Sequence, residues 1–193
     1  MIEVRSTDEF RKWLRGLTDI RAVKKITQRI VRVQAGLAGD AKFFDGIGEL
    51  RVDYGPGYRV YFVRRGNTVI ILLCGGDKGS QDRDIGKPGK WQRKFDMTLR
   101  TTPFDAAEYL DDAESQAELL ADAFETGDAT YIAHALGIVA RARGMTSIAK
   151  DAGVTREALY KALSEKGDPR LSTLLGVTKA LGLQLSAKPV NPV

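Results

Sequence analysis

Apolar residues in this chain recur first at helical spacing, then in short β-rich runs, then at helical spacing again, and that order restricts the fold more than any other property of the sequence. Phe10, Trp13, Leu14 and Leu17 follow the i, i+3, i+4, i+7 rule of a helix face. A second stripe runs Val23, Ile26, Ile30, Val33 and Leu37, with Lys24, Lys25, Arg29 and Arg32 off that face and Gly36 and Gly39 closing it. Ser6 and Glu9 have the spacing of a capping box before the first stripe. From GELRVDYG the pattern changes to YRVYFVRR and TVIILLCGG, parted by the turn signal Arg65-Gly66-Asn67. With IEVR as an opening strand the order is β-α-α-β-β-β, an α+β unit in which a helix pair is segregated from an antiparallel sheet whose last strand is apolar enough to be central. Gly75-Gly76 after that strand reads as a turn, with close backbone approach to a phosphate as the alternative. The following SQDRDIGKPGKWQRKF could begin a helix that Gly86, Pro88 and Gly89 break.

After Met97 the composition becomes helical and alanine-rich. Thr102, Pro103 and Asp105 are placed as N-cap, N1 and N3 of a helix, and further helices are expected over 114–126, 129–143, 147–152, 156–164 and 171–181. The 193 residues suffice for two compact units, 1–96 and 97–193. The charge supports that division: residues 1–95 carry 20 Lys+Arg against 11 Asp+Glu, a balance of +9, and residues 96–193 carry 10 against 14, a balance of −4. Between Thr101 and Ala140 stand nine acidic residues and no Lys or Arg. A basic part and an acidic part of one chain can attract each other, and the basic part can attract nucleic acid. The single cysteine, Cys74, can form no internal disulfide and is expected to pack in a core, in a reducing compartment. No run of 18 apolar residues and no signal peptide is evident, so a cytoplasmic protein without membrane contact is expected. His134, with no second His or Cys near it, reads as a packed or surface helix residue, Trp13 and Trp91 read as packing residues, and nothing calls for a metal or organic cofactor.

MTSIAKDAGVTREALYKALS carries the most specific motif, a helix-turn-helix around 146–164. Ile148 and Ala149 lie on the first helix, Gly153 sits where the turn needs positive φ, Val154 closes the turn, and Leu159 packs the second helix back. An ordinary αα-hairpin uses the same packing residues. The exposed face TREALYK favours DNA, with Thr155, Arg156, Glu157, Tyr160 and Lys161 as the candidate contacts and Arg156 placed to read a guanine.

On FDAAEYLDD, ALGIVARARGMTSIAKDAGVTREALYKALS and GDPRLSTLLGVTKALGLQLS, residues 97–193 resemble the antidote proteins of bacterial addiction modules, of the HigA-like group within the Xre-type helix-turn-helix proteins. The resemblance implies binding of a cognate toxin and autorepression at an operator, on a homodimeric scaffold. Residues 1–95 are similar to the RelE/ParE addiction module killer proteins (HigB-like) on FRKWLRGL, ELRVDYGPGYRVYFVRRG and LLCGGDKGSQDRDI. The chain then reads as a toxin and its antidote in one polypeptide, and the sign changes at Met97 because one ends and the other begins.

In the RelE branch the resemblance implies ribosome-dependent cleavage of mRNA, by attack of a ribose 2′-OH on the adjacent phosphate. Arg59 and Lys78 fall on the family's basic positions and would bind the phosphate and its developing charge; Arg51 would position substrate. No histidine occurs in residues 1–95, which leaves Lys78 and Tyr54 as candidates for the base. The acidic Asp105, Glu108, Asp111, Asp112, Glu118 and Asp122 are the candidates for neutralising the toxin. Two rival readings stand: a ParE-like toxin that binds DNA gyrase without catalysis, and a fused repressor whose first half is inactive.

Overall fold

The computed structural model describes residues 1–39, 41–44, 46–77, 100–164 and 167–186, and the chain divides into two compact units, Met1–Tyr109 and Leu110–Val193. In the first unit the elements run β1 (Glu3–Thr7), α1 (Asp8–Arg15), α2 (Ile20–Gln34), β2 (Lys42–Phe44), β3 (Ile47–Val52), β4 (Tyr58–Arg65), β5 (Val69–Asp77), β6 (Thr101–Pro103) and a 3-10 turn (Ala106–Glu108). All six strands form one sheet in the order β2-β3-β4-β5-β1-β6.

That sheet is mixed rather than antiparallel. β1 runs parallel to β5, from Glu3 opposite Val69 to Ser6 opposite Leu72, while every other pairing is antiparallel. α1, α2 and the β2-β3-β4 meander return the chain so that β5 enters beside β1 in the same direction. β5 is central, as its apolar run implies: Ile70, Ile71, Leu72 and Leu73 are all buried.

A bulge between Tyr61 and Phe62 sets the faces of β5. Tyr61 lies opposite Cys74 and Phe62 opposite Leu72, so Leu73 is the extra residue, and Leu73 and Cys74 join Tyr61 and Ile71 in one apolar cluster. On α1 and α2 the buried residues are Phe10 and Leu14, then Ala22, Ile26, Thr27, Ile30, Val31 and Val33, the two stripes read from the sequence with their small neighbours. Each fully buried Leu, Ile or Phe of this kind contributes about 1.5–3 kcal/mol.

Two local expectations give way to pairing. The first helix is capped by Thr7, whose hydroxyl accepts from Phe10 N at 3.1 Å and donates to Leu73 O at 2.6 Å. Ser6 cannot cap because it lies within β1, fully buried between Leu72 and Thr102. Likewise Thr102 and Pro103 do not start a helix; they belong to β6, antiparallel to β1, with Arg5 opposite Pro103, Ser6 opposite Thr102 and Thr7 opposite Thr101. Phe104 N donates to Val4 O at 2.9 Å, so Val4 and Phe104 are a hydrogen-bonded pair. The alternation of an antiparallel ladder then puts Pro103 at a site where no N–H is required. Helical geometry begins only at Ala106, capped by Asp105, which accepts from Ala107 N at 3.1 Å.

Gly75 is no turn residue either. It lies within β5 beneath Trp13, and a Cβ there would sit 2.2 Å from the indole ring. The helix expected in SQDRDIGKPGKWQRKF, and Trp91 with it, lie outside the described residues.

The described part of the second unit holds α3 (Ala113–Thr126), α4 (Ala129–Arg143), α5 (Met145–Asp151), α6 (Arg156–Ala162) and α7 (Leu171–Ala180), all within a few residues of the helices read from the sequence. Asp112 caps α3 through Ser115 N and Asp128 caps α4 through Tyr131 N, while Gly127 ends α3 at φ +67°. α4 is the core helix, burying Tyr131, Ala133 and every residue from Ala135 to Ala140. Among the described residues no helix is long and apolar enough to cross a membrane.

Candidate functional site

The residues expected to carry function fall, where described, into three groups. The first is a basic pair on β3 and β4. Arg51 and Arg59 face each other in register, and the fully buried Glu49 lies between them. Arg51 Nε donates to Glu49 Oε1 at 2.9 Å, and Arg59 Nε approaches Oε2 at 3.4 Å without hydrogen-bond geometry. Two guanidiniums against one carboxylate leave a positive excess suited to a phosphate. Access differs: the Arg51 side chain is 36% exposed, that of Arg59 only 11%.

Of the other expected catalytic residues, Tyr54 is half-buried in the turn between β3 and β4, where its N–H donates to Val52 O. Lys78 lies outside the described residues. Tyr58, next to Arg59 in β4, projects to the opposite face, its ring edge-on to Trp13 at 6.5 Å. Burial raises the Tyr58 pKa, and Asp19, Asp77 and Tyr54 add to the rise. Glu49 is the residue that sequence reasoning missed; a lone acid two positions before Arg51 in a strand shares its face, and that spacing is the available signal.

The second group is the stretch 101–109, which completes the first unit. Arg5 donates from Nε to Thr101 Oγ1 at 2.9 Å and from Nη2 to Thr101 O at 2.8 Å. Gln34 Nε2 donates to Phe104 O at 3.4 Å. Phe104 is buried, edge-on to Phe10 at 6.1 Å and stacked on Tyr109 at 5.4 Å with 8° between the rings. Burial raises the Tyr109 pKa and Glu108 adds to the rise, against the opposing charges of Arg15 and Arg11.

Only Asp105 and Glu108 of the six expected neutralising acids belong to this group. Glu108 pairs with Arg15 at 3.3 Å, with both side chains more than half exposed; such a pair contributes about 0–1 kcal/mol, less than the burial of one phenylalanine at about 1.5–3 kcal/mol. The remaining four are in the second unit. Asp112 caps α3, Asp122 accepts from Tyr131 OH at 2.6 Å, and Asp111 and Glu118 are exposed.

The third group is the α5–α6 pair. Met145, Ile148 and Ala149 are buried on α5, Gly153 turns the chain at φ +70°, Val154 N donates to Ala149 O at 3.0 Å, and Leu159 is buried on α6. Thr155 caps α6 by accepting from Ala158 N at 3.1 Å. Thr155, Arg156, Glu157, Tyr160 and Lys161 are all exposed, with the Arg156 guanidinium 5.4 Å from the centre of the Tyr160 ring. Neighbouring helices come close around the pair: a Cβ on Gly137 would lie 3.1 Å from Leu163 O, and one on Gly176 3.0 Å from Ala152 O.

Residues 100–189 match the family described as probable addiction module antidote protein. A protein of Haemophilus influenzae Rd, itself uncharacterised, is 51% identical over 85 residues, which cover 44% of this chain and 86% of the relative. A second uncharacterised protein of the same organism is 44% identical over 92 residues, 48% of this chain and 95% of that relative. No solved structure matches the chain. Through its second half, the chain belongs to the family of probable addiction module antidote proteins.

Proposed function

We propose that the chain is an addiction module in one polypeptide. Residues 97–193 are the antidote, and the basic residues 1–96 are its RelE/ParE-type (HigB-like) toxin, a ribosome-dependent mRNA endoribonuclease. The observation that carries this reading is the placement of residues 100–109. They open the stretch that matches the antidote family, yet they supply a strand and a buried aromatic to the basic first unit. In this reading the phosphate meets Arg51 first, the more open of the two arginines, and Arg59 is engaged as the phosphate takes over from Glu49. Lys78 and Tyr54 remain the candidates for the proton acceptor, and no metal or cofactor is required. The antidote half binds operator DNA as a homodimer, with the start of α6 in the major groove, Arg156 at a guanine and Thr155 and Lys161 at phosphates.

One observation favours the rival reading of an inactive first half in a fused repressor: Glu49 already neutralises Arg59 in a buried pair. Mapping mRNA 5′ ends in a ribosome-containing translation reaction separates the readings. Residues 1–96, checked for folding by circular dichroism, are expected to cut only translated message, and Arg59→Ala is expected to abolish the cuts. Intact message from folded protein refutes the ribonuclease and leaves gyrase binding or the repressor.

A further inference from the structure

We infer that residues 101–109 are a strand-and-aromatic clamp by which the antidote holds the first unit without need of the covalent link. The inference rests on the toxin-antidote reading for its biological meaning, but its geometry does not depend on any activity. Without β6, β1 would be the edge of the sheet, with one row of backbone groups unpaired. β6 fills that row in register and tolerates Pro103 because the proline faces the non-hydrogen-bonded site. Arg5 then grips Thr101 twice, through its hydroxyl and its carbonyl, and Gln34 grips the carbonyl of Phe104. Beyond the strand, Phe104 is buried against Phe10, and Tyr109 closes over its outer face.

This is recognition by strand addition: main-chain bonds supply the grip, and one aromatic anchor fixes the register. The partner fitted by the β1 edge is therefore an extended segment of the chemistry Thr-Thr-Pro-Phe, and residues 101–104 of this chain are that segment.

The test keeps the full chain. A protease site is inserted between residues 92 and 97, the protein is purified with a C-terminal tag, shown by circular dichroism to be folded, cut to completion, and passed over the tag resin. In the uncut chain the clamp is intramolecular and buffered by its high effective concentration; after the cut its own affinity is exposed. The two fragments of the otherwise unaltered chain are expected to stay together. Thr102→Pro, which removes an N–H aimed at β1, and Phe104→Ala are each expected to weaken the complex about tenfold or more.

A synthetic peptide of residues 100–110 provides a measurement independent of any variant, and is expected to displace the tagged fragment where a scrambled peptide does not. Fragments of Thr102→Pro and Phe104→Ala that hold as tightly as the parent, or no displacement by saturating peptide, would each overturn the clamp. If the clamp holds and residues 1–96 prove harmless to cells, the toxin reading fails and the clamp stands.

Discussion

Phe104→Ala measures how far the first unit depends on residues beyond Met97. Phe104 is 6% exposed and among the described residues has two aromatic neighbours, Phe10 at 6.1 Å and Tyr109 at 5.4 Å. Truncating a buried phenylalanine to alanine costs about 3–5 kcal/mol, a figure that includes its ring contacts. The backbone bond from Phe104 N to Val4 O survives the change, as does the acceptor used by Gln34, and the site lies at the edge of the sheet, where the cavity can partly collapse. The expected loss is therefore near the lower end, about 3 kcal/mol. Both tryptophans, Trp13 and Trp91, precede residue 110, so tryptophan fluorescence during urea unfolding reports the first unit without interference from the second. The comparison is Phe43→Ala: Phe43 is 58% exposed and makes a T-shaped contact with Phe62 at 5.6 Å, for which about 0.5–1.5 kcal/mol is expected. A fluorescence midpoint for Phe104→Ala no lower than that of Phe43→Ala would refute the assignment of residues 101–109 to the core of the first unit.

Gly75→Ala would place a Cβ 2.2 Å from the Trp13 ring and should lower stability by about 1–3 kcal/mol in the same assay; Trp13→Ala in combination should recover part of the loss, and strict additivity would contradict the contact. The Tyr109 pKa is raised, so the folded state favours its neutral form: that stability is complete below the ordinary value of 10.0 and is lost as pH climbs through the raised one. Tyr109→Phe should therefore flatten, without abolishing, the alkaline fall of the urea midpoint, since Tyr58 is raised as well; an unchanged slope would count against the burial of Tyr109. In operator binding by the whole chain, Lys161→Ala should weaken all sequences alike and reduce the salt slope by about one, whereas Arg156→Ala should cost about 1–3 kcal/mol and relax the preference at one base pair. Identical losses on operator and random DNA for Arg156→Ala would remove it from base reading.

The helices were legible because their signals are local. The stripes of Phe10 and Leu14 and of Ile26, Ile30 and Val33 bury the faces that their spacing demands. Thr155 caps α6 and Gly153 turns the chain as their residue types require. Strand direction leaves no such mark, which is why the parallel β1–β5 pair was not foreseen. Thr102, Pro103 and Asp105 show the limit of local reasoning, because their order suits a helix start, but the open edge of β1 offers a full set of backbone partners and wins. Gly75 needed knowledge of Trp13, and Glu49 of both arginines, each contact joining different elements of the fold. Some of the acidic run has local duties that the charge balance does not reveal. A carboxylate at Asp105, Asp112 or Asp128 serves the helix it begins, and that duty is invisible in a tally of charge.

The most direct test of a toxin and antidote joined in one chain is the growth of bacteria producing residues 1–96 from an inducible promoter, alone and with residues 97–193 supplied from a second promoter. The account predicts arrest by the first, recovery with the second, and failed recovery when the second carries Phe104→Ala. Undiminished growth in cells that accumulate folded residues 1–96 would contradict it.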